Sequence, residues 1–189
     1  IIYLSPQEVA ALLGSIKFQN ESKFFDSVTR KFEVSVKDDQ GLISNVANVN
    51  LVIDDTNDAP FLKDGSSIEA FTEGSSGVSF GAFGKIFDHE NDSIKSVSIS
   101  FASGYNQGSD ILKYSGGDLS SEFDEATGTL SLSAPDQVSG LTAAQFDNAL
   151  ASVEFVNSDE NPNVLSKKFQ ITITDTLNAK GISPIKEIT

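Results

Sequence analysis

Residues 4–38 of this chain recur without a gap 137 positions later, as residues 141–175: Leu4 matches Leu141, Leu13 Leu150, Ser15 Ser152, Phe18 Phe155, Asn20 Asn157, Lys31 Lys168, Phe32 Phe169 and Asp38 Asp175. Cap, helix face and strand face all coincide, so the chain holds parts of two modules of one kind. Each copy opens on a helix start, Ser5-Pro6-Gln7-Glu8 in the first and Thr142-Ala143-Ala144-Gln145 in the second. A hydroxyl N-cap with Glu or Gln three residues later is a capping box. The apolar stripes follow at i, i+3 and i+4: Val9, Leu12 and Leu13, then Phe146, Ala149 and Leu150. After each helix comes a short strand (Ile16 and Phe18; Val153 and Phe155). A longer alternating one follows, with Phe32, Val34 and Val36 in one copy and Phe169, Ile171 and Ile173 in the other. The same parity lands on Asp38 and Asp175, each at the mouth of its strand. A last strand is expected over 44–53, and over about 182–189 in the second copy with about two extra residues in the preceding turn.

Between the copies lies a series of short segments of strand type. They cover 68–72, 78–80, 84–87, the alternating Val97, Ile99 and Phe101, 111–114, and Glu122-Phe123 leading through Asp124-Glu125-Ala126-Thr127-Gly128 to Leu130 and Leu132. Many short alternating strands with regular turn signals predict an all-β chain, a Greek-key antiparallel β-sandwich with one short helix per module. Residues 1–58 read as the C-terminal part of one module and 59–189 as a second, nearly complete one. The first part lacks the strands that precede the helix, and half a sandwich leaves a sheet face and an edge uncovered, so it is not expected to fold alone.

The junction is Asp54-Asp55-Thr56-Asn57-Asp58-Ala59-Pro60, directly after a run whose Ala47, Val49, Leu51 and Ile53 share a face. Pro60 cannot continue a ladder and pushes Ala59 to extended backbone, so the strand ends here and a new unit begins. Carboxylates this dense repel one another unless a cation neutralises them, and a hard ion taking roughly 6–8 oxygen ligands, Ca²⁺, is the natural occupant. A second acidic loop, Asp88-His89-Glu90-Asn91-Asp92, follows at a later strand end. Composition agrees. A net charge of −14 argues against nucleic acid and anionic membranes as partners and favours cations. With no Cys there are no disulfides, thiol catalysis or Cys-bound zinc. No run approaches the roughly 18–20 apolar residues that span a bilayer, and Ile1-Ile2-Tyr3 lacks the basic start of a signal peptide. The absence of Met suggests a segment of something longer.

These residues resemble the cadherin-like repeats of large bacterial surface adhesins. Asp55-Thr56-Asn57-Asp58-Ala59-Pro60 is similar to the cadherin D-x-N-D-x-P linker, and Phe123 to Leu130 to the family's F-x-x-D-x-x-T-G hairpin. Asp88-His89-Glu90 resembles its D-x-D loop, with Glu for the second Asp. The helix and the stretch SVEFVNSDENP at 152–162 are closer to bacterial adhesins than to animal cadherins. The resemblance implies Ca²⁺ held between consecutive domains by Asp55, Asn57 and Asp58 from the linker and by Asp88, Glu90 and Asp175 from the facing module, with Asp54 and Asp92 as additions. By the same likeness Glu73 serves the next junction and Asp38 the preceding one. No D-R-E motif follows the hairpin; Asp136 is a poor stand-in, which implies fewer ions per junction. The implied role is structural and adhesive, in an extracellular cell-surface protein. The partners would be neighbouring repeats of the same chain and cell-surface or matrix glycans or proteins.

Other signals are weaker. His89 reads as a solvated loop residue, and the Gly-rich stretches 104–108 and 115–117 as turns, because neither is followed by a phosphate-binding helix. Asn20-Glu21-Ser22 and Asn91-Asp92-Ser93 fit a glycosylation pattern that arises often by chance. No nucleophile elbow accompanies the Ser, His and Asp residues, so no catalytic residue is assigned. The alternatives are a glycan-binding module, with Tyr105 as the candidate platform, and an ancillary domain of a secreted enzyme.

Overall fold

The computed structural model describes residues 4–21, 28–54, 56–72, 75, 77–159 and 166–189. Contacts divide the chain into two compact units, Ile1–Thr56 and Asn57–Thr189. In the first, α1 (Pro6–Ser15) carries the expected capping box: Ser5 Oγ accepts from Glu8 N, and Glu8 Oε2 accepts from Ser5 N at 2.8 Å. The strands β1 (Val28–Val34) and β2 (Ala47–Ile53) pair antiparallel with Phe32 opposite Val49. Ile16 and Phe18, expected in a strand, are in none. A strand needs a ladder partner, and none is present for them among the described residues of this unit.

The second unit is an all-β sandwich. Its elements are β3 (Phe61–Lys63), β4 (Ile68–Glu69), β5 (Val78–Ser79), a 3₁₀ turn (Phe80–Phe83), β6 (Lys85–Phe87), β7 (Ile94–Ser103), β8 (Asp110–Tyr114), β9 (Ser120–Asp124), β10 (Thr129–Ser133), α2 (Ala143–Ala151), β11 (Val153–Asn157), β12 (Lys167–Asp175), β13 (Lys180–Ile182) and β14 (Lys186–Ile188). One sheet runs β4-β14-β12-β7-β10-β9, antiparallel except for the short β4–β14 pairing, with β13 also against β12. The other is β5-β11-β8, and β3 pairs with β6. Alternation builds the core: Val97 and Ile99 of β7, Leu130 and Leu132 of β10, and Phe169, Ile171 and Ile173 of β12 are buried and meet Leu112, Val153 and Phe155 of the opposite sheet. Phe155 and Phe169 touch across the layers with ring centroids 5.9 Å apart. The helix α2, capped by Thr142 and Gln145, closes the core with Phe146, Ala149 and Leu150.

Three further expectations are corrected. Phe80 opens a 3₁₀ turn rather than ending a strand, because the Ser79 side chain accepts from Gly81 N and turns the chain inward. The last strand is split at Ser183-Pro184. Ser183 Oγ accepts from Ile171 N, and the proline has no amide to continue the ladder. The supposed two-residue insertion disappears as well. Phe32 faces Val49 as Phe169 faces Lys186, and Arg30 faces Leu51 as Lys167 faces Ile188, so both strands keep the offset of 137.

Candidate metal centre

Asp175 ends β12, wholly buried where the parity of Phe169, Ile171 and Ile173 carries it inward. Its backbone N–H donates to Ala179 O at 3.2 Å, and its Oδ1 accepts from Ala179 N at 2.8 Å, closing a turn in which Asn178 has φ 72°. An aspartate that satisfies its own turn is held rigid, and its other oxygen is aimed. That oxygen, Oδ2, accepts from Asn57 Nδ2 at 2.8 Å. Asp88, only 4% exposed, leaves β6 into a turn with Asn91 at φ 58° and accepts from Asp92 N through Oδ1 at 2.9 Å. Glu90 Oε2 accepts from Asp58 N at 3.2 Å.

Two close approaches fasten the linker beside this loop. The β3–β6 pairing sets Phe61 opposite Phe87, their rings 5.3 Å apart. At Gly181 in β13 an added Cβ would fall 1.5 Å from Pro60 O, so only glycine lets the linker lie there.

Asp175 spends both of its oxygens in these hydrogen bonds, whereas Asn57, Asp88 and Glu90 each keep one oxygen in reserve. Asn57 Oδ1, Asp88 Oδ2 and Glu90 Oε1 are buried and have no hydrogen-bond partner. Carboxylate oxygens of Asp88, Glu90 and Asp92 lie within 4.8 Å of one another. Leaving such a group buried and unpaired costs about 1–3 kcal/mol apiece, more when it is charged. Burial pushes the Asp88 carboxyl above its ordinary value. The hydrogen bond from Asp92 N opposes that rise, and the charges of Asp92, Glu90 and Asp175 add to it. The donors are all hard oxygens, an amide carbonyl among carboxylates, which suits Ca²⁺ and gives zinc neither nitrogen nor sulfur from this group.

Of the residues singled out in the sequence, Asn57, Asp58, Asp88, Glu90, Asp92 and Asp175 come together within the second unit. Asp54 and Asp38 belong to the first unit, where Asp38 Oδ1 accepts from Gln40 N at 2.9 Å and Leu42 N at 2.8 Å. Asp55 and Glu73 lie outside the described residues. Tyr105, the candidate sugar platform, is half-buried; its ring packs tilted on Phe101 with centroids 4.7 Å apart, and its hydroxyl donates to Glu125 O.

Sequence reasoning missed a second buried polar cluster. Lys167 Nζ lies 2.8 Å from Asp110 Oδ2 and 2.8 Å from Gly104 O, with the two charged side chains 6% and 0% exposed. Asp110 also accepts from Asn106 N at 2.7 Å and from Asn157 Nδ2 at 2.6 Å. A signal existed: Lys167 and Asp110 both fall on inward-facing positions of their strands. No family model matches the chain, and no curated protein matches it in sequence.

Proposed function

We propose that Asn57, Asp58, Asp88, Glu90, Asp92 and Asp175 bind Ca²⁺, and that the chain is a structural, adhesive repeat segment of a large extracellular cell-surface protein. The carrying observation is the trio of buried oxygens, Asn57 Oδ1, Asp88 Oδ2 and Glu90 Oε1, that have no partner within an acidic cluster. A divalent ion would satisfy all three and cancel the repulsion that adds to the effect of burial on Asp88. Asn57 and Asp58 are the first residues of the second unit, so an ion on them holds the chain that joins the two units, and the resemblance adds Asp54 and Asp55 to the set. Binding would then stiffen the junction and let a row of such modules project a tip or bear tension, with neighbouring repeats as the immediate partners and surface glycans or proteins as the distant ones. In this reading the chain is not an enzyme. Supporting it are the β-sandwich of the second unit and the likeness to cadherin-like repeats.

The test is calorimetric titration of the full chain with Ca²⁺, with Mg²⁺ as the competing ion, beside small-angle scattering in Ca²⁺ and in chelator. Saturable Ca²⁺ heat, a raised melting temperature and a longer, narrower distance distribution are expected. No heat and no shift in melting would reject the site; binding without any change in dimensions would reject the stiffening alone.

A further inference from the structure

The repeat exposes in one copy what it buries in the other. The helix α1 buries no residue, whereas Phe146, Ala149 and Leu150 of α2 are buried. Ile16 is 69% exposed, Phe18 46% and Phe32 41%, while their counterparts Val153, Phe155 and Phe169 are at most 1% exposed. Yet the first unit keeps the geometry of the repeat. Phe18 and Phe32 meet edge to face at 6.1 Å, as Phe155 and Phe169 do at 5.9 Å. Gly41 at φ 88° turns the chain where Asn178 does, and Asp38 Oδ1 takes Leu42 N as Asp175 Oδ1 takes Ala179 N.

The second copy is covered by its own first half. The 3₁₀ turn and β6 pack on α2, Phe80 and Phe101 pack on Phe169, and β7 pairs along β12 with Phe101, Ile99 and Val97 opposite Phe169, Ile171 and Ile173. In the first unit the corresponding place under α1 is an open groove of about 780 Å³ lined by Leu4, Val9, Leu13 and Val36. The edge of β1 away from β2 has no strand among the described residues. Charge points the same way: Arg30 occupies the position of Lys167, whose ammonium lies against buried Asp110, and no salt bridge of the described residues includes Arg30.

We propose that α1, β1 and the segment around Ile16 and Phe18 form an acceptor surface for the first half of a sister module, a polypeptide patterned like residues 59–137. One of its strands adds antiparallel along Phe32 to Val36, over the end of β1 and the two residues beyond it. Its aromatic turn fills the groove under α1, and an acidic residue at the place of Asp110 meets Arg30. This reading stands whether or not the acidic cluster binds Ca²⁺.

The experiment joins a duplicate of residues 59–137 directly to Ile1 of the full chain, which preserves the spacing of the repeat, and follows amide hydrogen exchange over residues 28–36. Exchange there is expected to slow at least about 100-fold, as for a strand paired on both edges. Arg30→Glu should undo the slowing, and Asp→Lys at the Asp110 position of the duplicate should restore it. An unchanged rate would overturn the proposal. So would slow exchange already present in the unextended chain, whether concentration-independent or through dimerisation, since the surface would then be covered without the occupant. Ile16→Ser supplies a second measurement: it should leave the melting of the unextended chain unchanged and lower that of the extended one. Destabilisation of the unextended chain would show that Ile16 already packs and would defeat the idea.

Discussion

The second unit buries carboxylates at both ends of β12 and treats them oppositely. At the Lys167 end, Asp110 has an ammonium at 2.8 Å and two further donors, so both of its oxygens are satisfied from within the chain. At the Asp175 end, roughly 26 Å away along an extended strand, Asp88, Glu90 and Asp92 crowd together with no lysine or arginine in a salt bridge among the described residues. The same kind of buried charge is internally neutralised in one place and has no ion pair among the described residues in the other. A fold that can place Lys167 inside has the means to neutralise the second cluster too. That it leaves Asn57 Oδ1, Asp88 Oδ2 and Glu90 Oε1 bare therefore argues for a ligand rather than for tolerance of poor packing.

The contrast breaks first at Lys167. Lys167→Met strands Asp110 in the core and should cost about 3–5 kcal/mol of unfolding free energy for the second unit. Denaturant melts would show that loss equally in Ca²⁺ and in chelator. The double variant Lys167→Met with Asp110→Asn should recover most of it, because uncharged groups of similar shape do not need the ion pair. If Ca²⁺ rescued the single variant, the two clusters would not be separate, and the comparison would collapse.

Next in size is the ion itself. At a free concentration 100 times its dissociation constant, Ca²⁺ should stabilise the second unit by about 2.7 kcal/mol. Asp88→Asn should remove most of that gain, and the Lys167 end should be indifferent. Gly181→Ala probes the same site from a distance. Its methyl would displace Pro60 and with it Asn57 and Asp58, so Ca²⁺ affinity should fall about tenfold or more, and calorimetry would show it. Undiminished affinity would mean that the linker does not contribute ligands.

Much of this was legible because the signals were periodic. Asp175 could be placed at the strand mouth by counting in twos from Phe169, and the acidic linker and the Asp88 loop by turn chemistry. The helix caps were written as Ser5 with Glu8 and Thr142 with Gln145. What escaped was set by tertiary pairing: β3 is three residues long after a proline, Phe80 turns inward through the Ser79 side chain, and Ser183 replaces a ladder partner. Lys167 and Asp110 escaped for a different reason. A charged residue at an inward position reads as an exception until its partner, 57 residues away in sequence, is seen to face it.

The smallest effect carries the sharpest sign. In chelator, Asp88 has its carboxyl raised by burial and by its acidic neighbours, so the folded state holds that proton more tightly than the unfolded chain does. Its contribution to stability is therefore present below the ordinary aspartate range and is lost as pH rises through the raised value. Asp88→Asn keeps an oxygen for Asp92 N and carries no charge, so at neutral pH without Ca²⁺ it should be the more stable protein, by roughly 1.4 kcal/mol for each pKa unit of rise. The gap should close on acidification, while Ca²⁺ at neutral pH should reverse the order. Exposed Asp124 and Asp136, lowered by their hydrogen bonds from Thr127 and Ser139, pull stability down as pH falls, but they do so in both proteins and cancel in the difference. If Asp88→Asn were the less stable protein in chelator at neutral pH, Asp88 would be a structural anchor like Asp110, and the two ends of β12 would be alike after all.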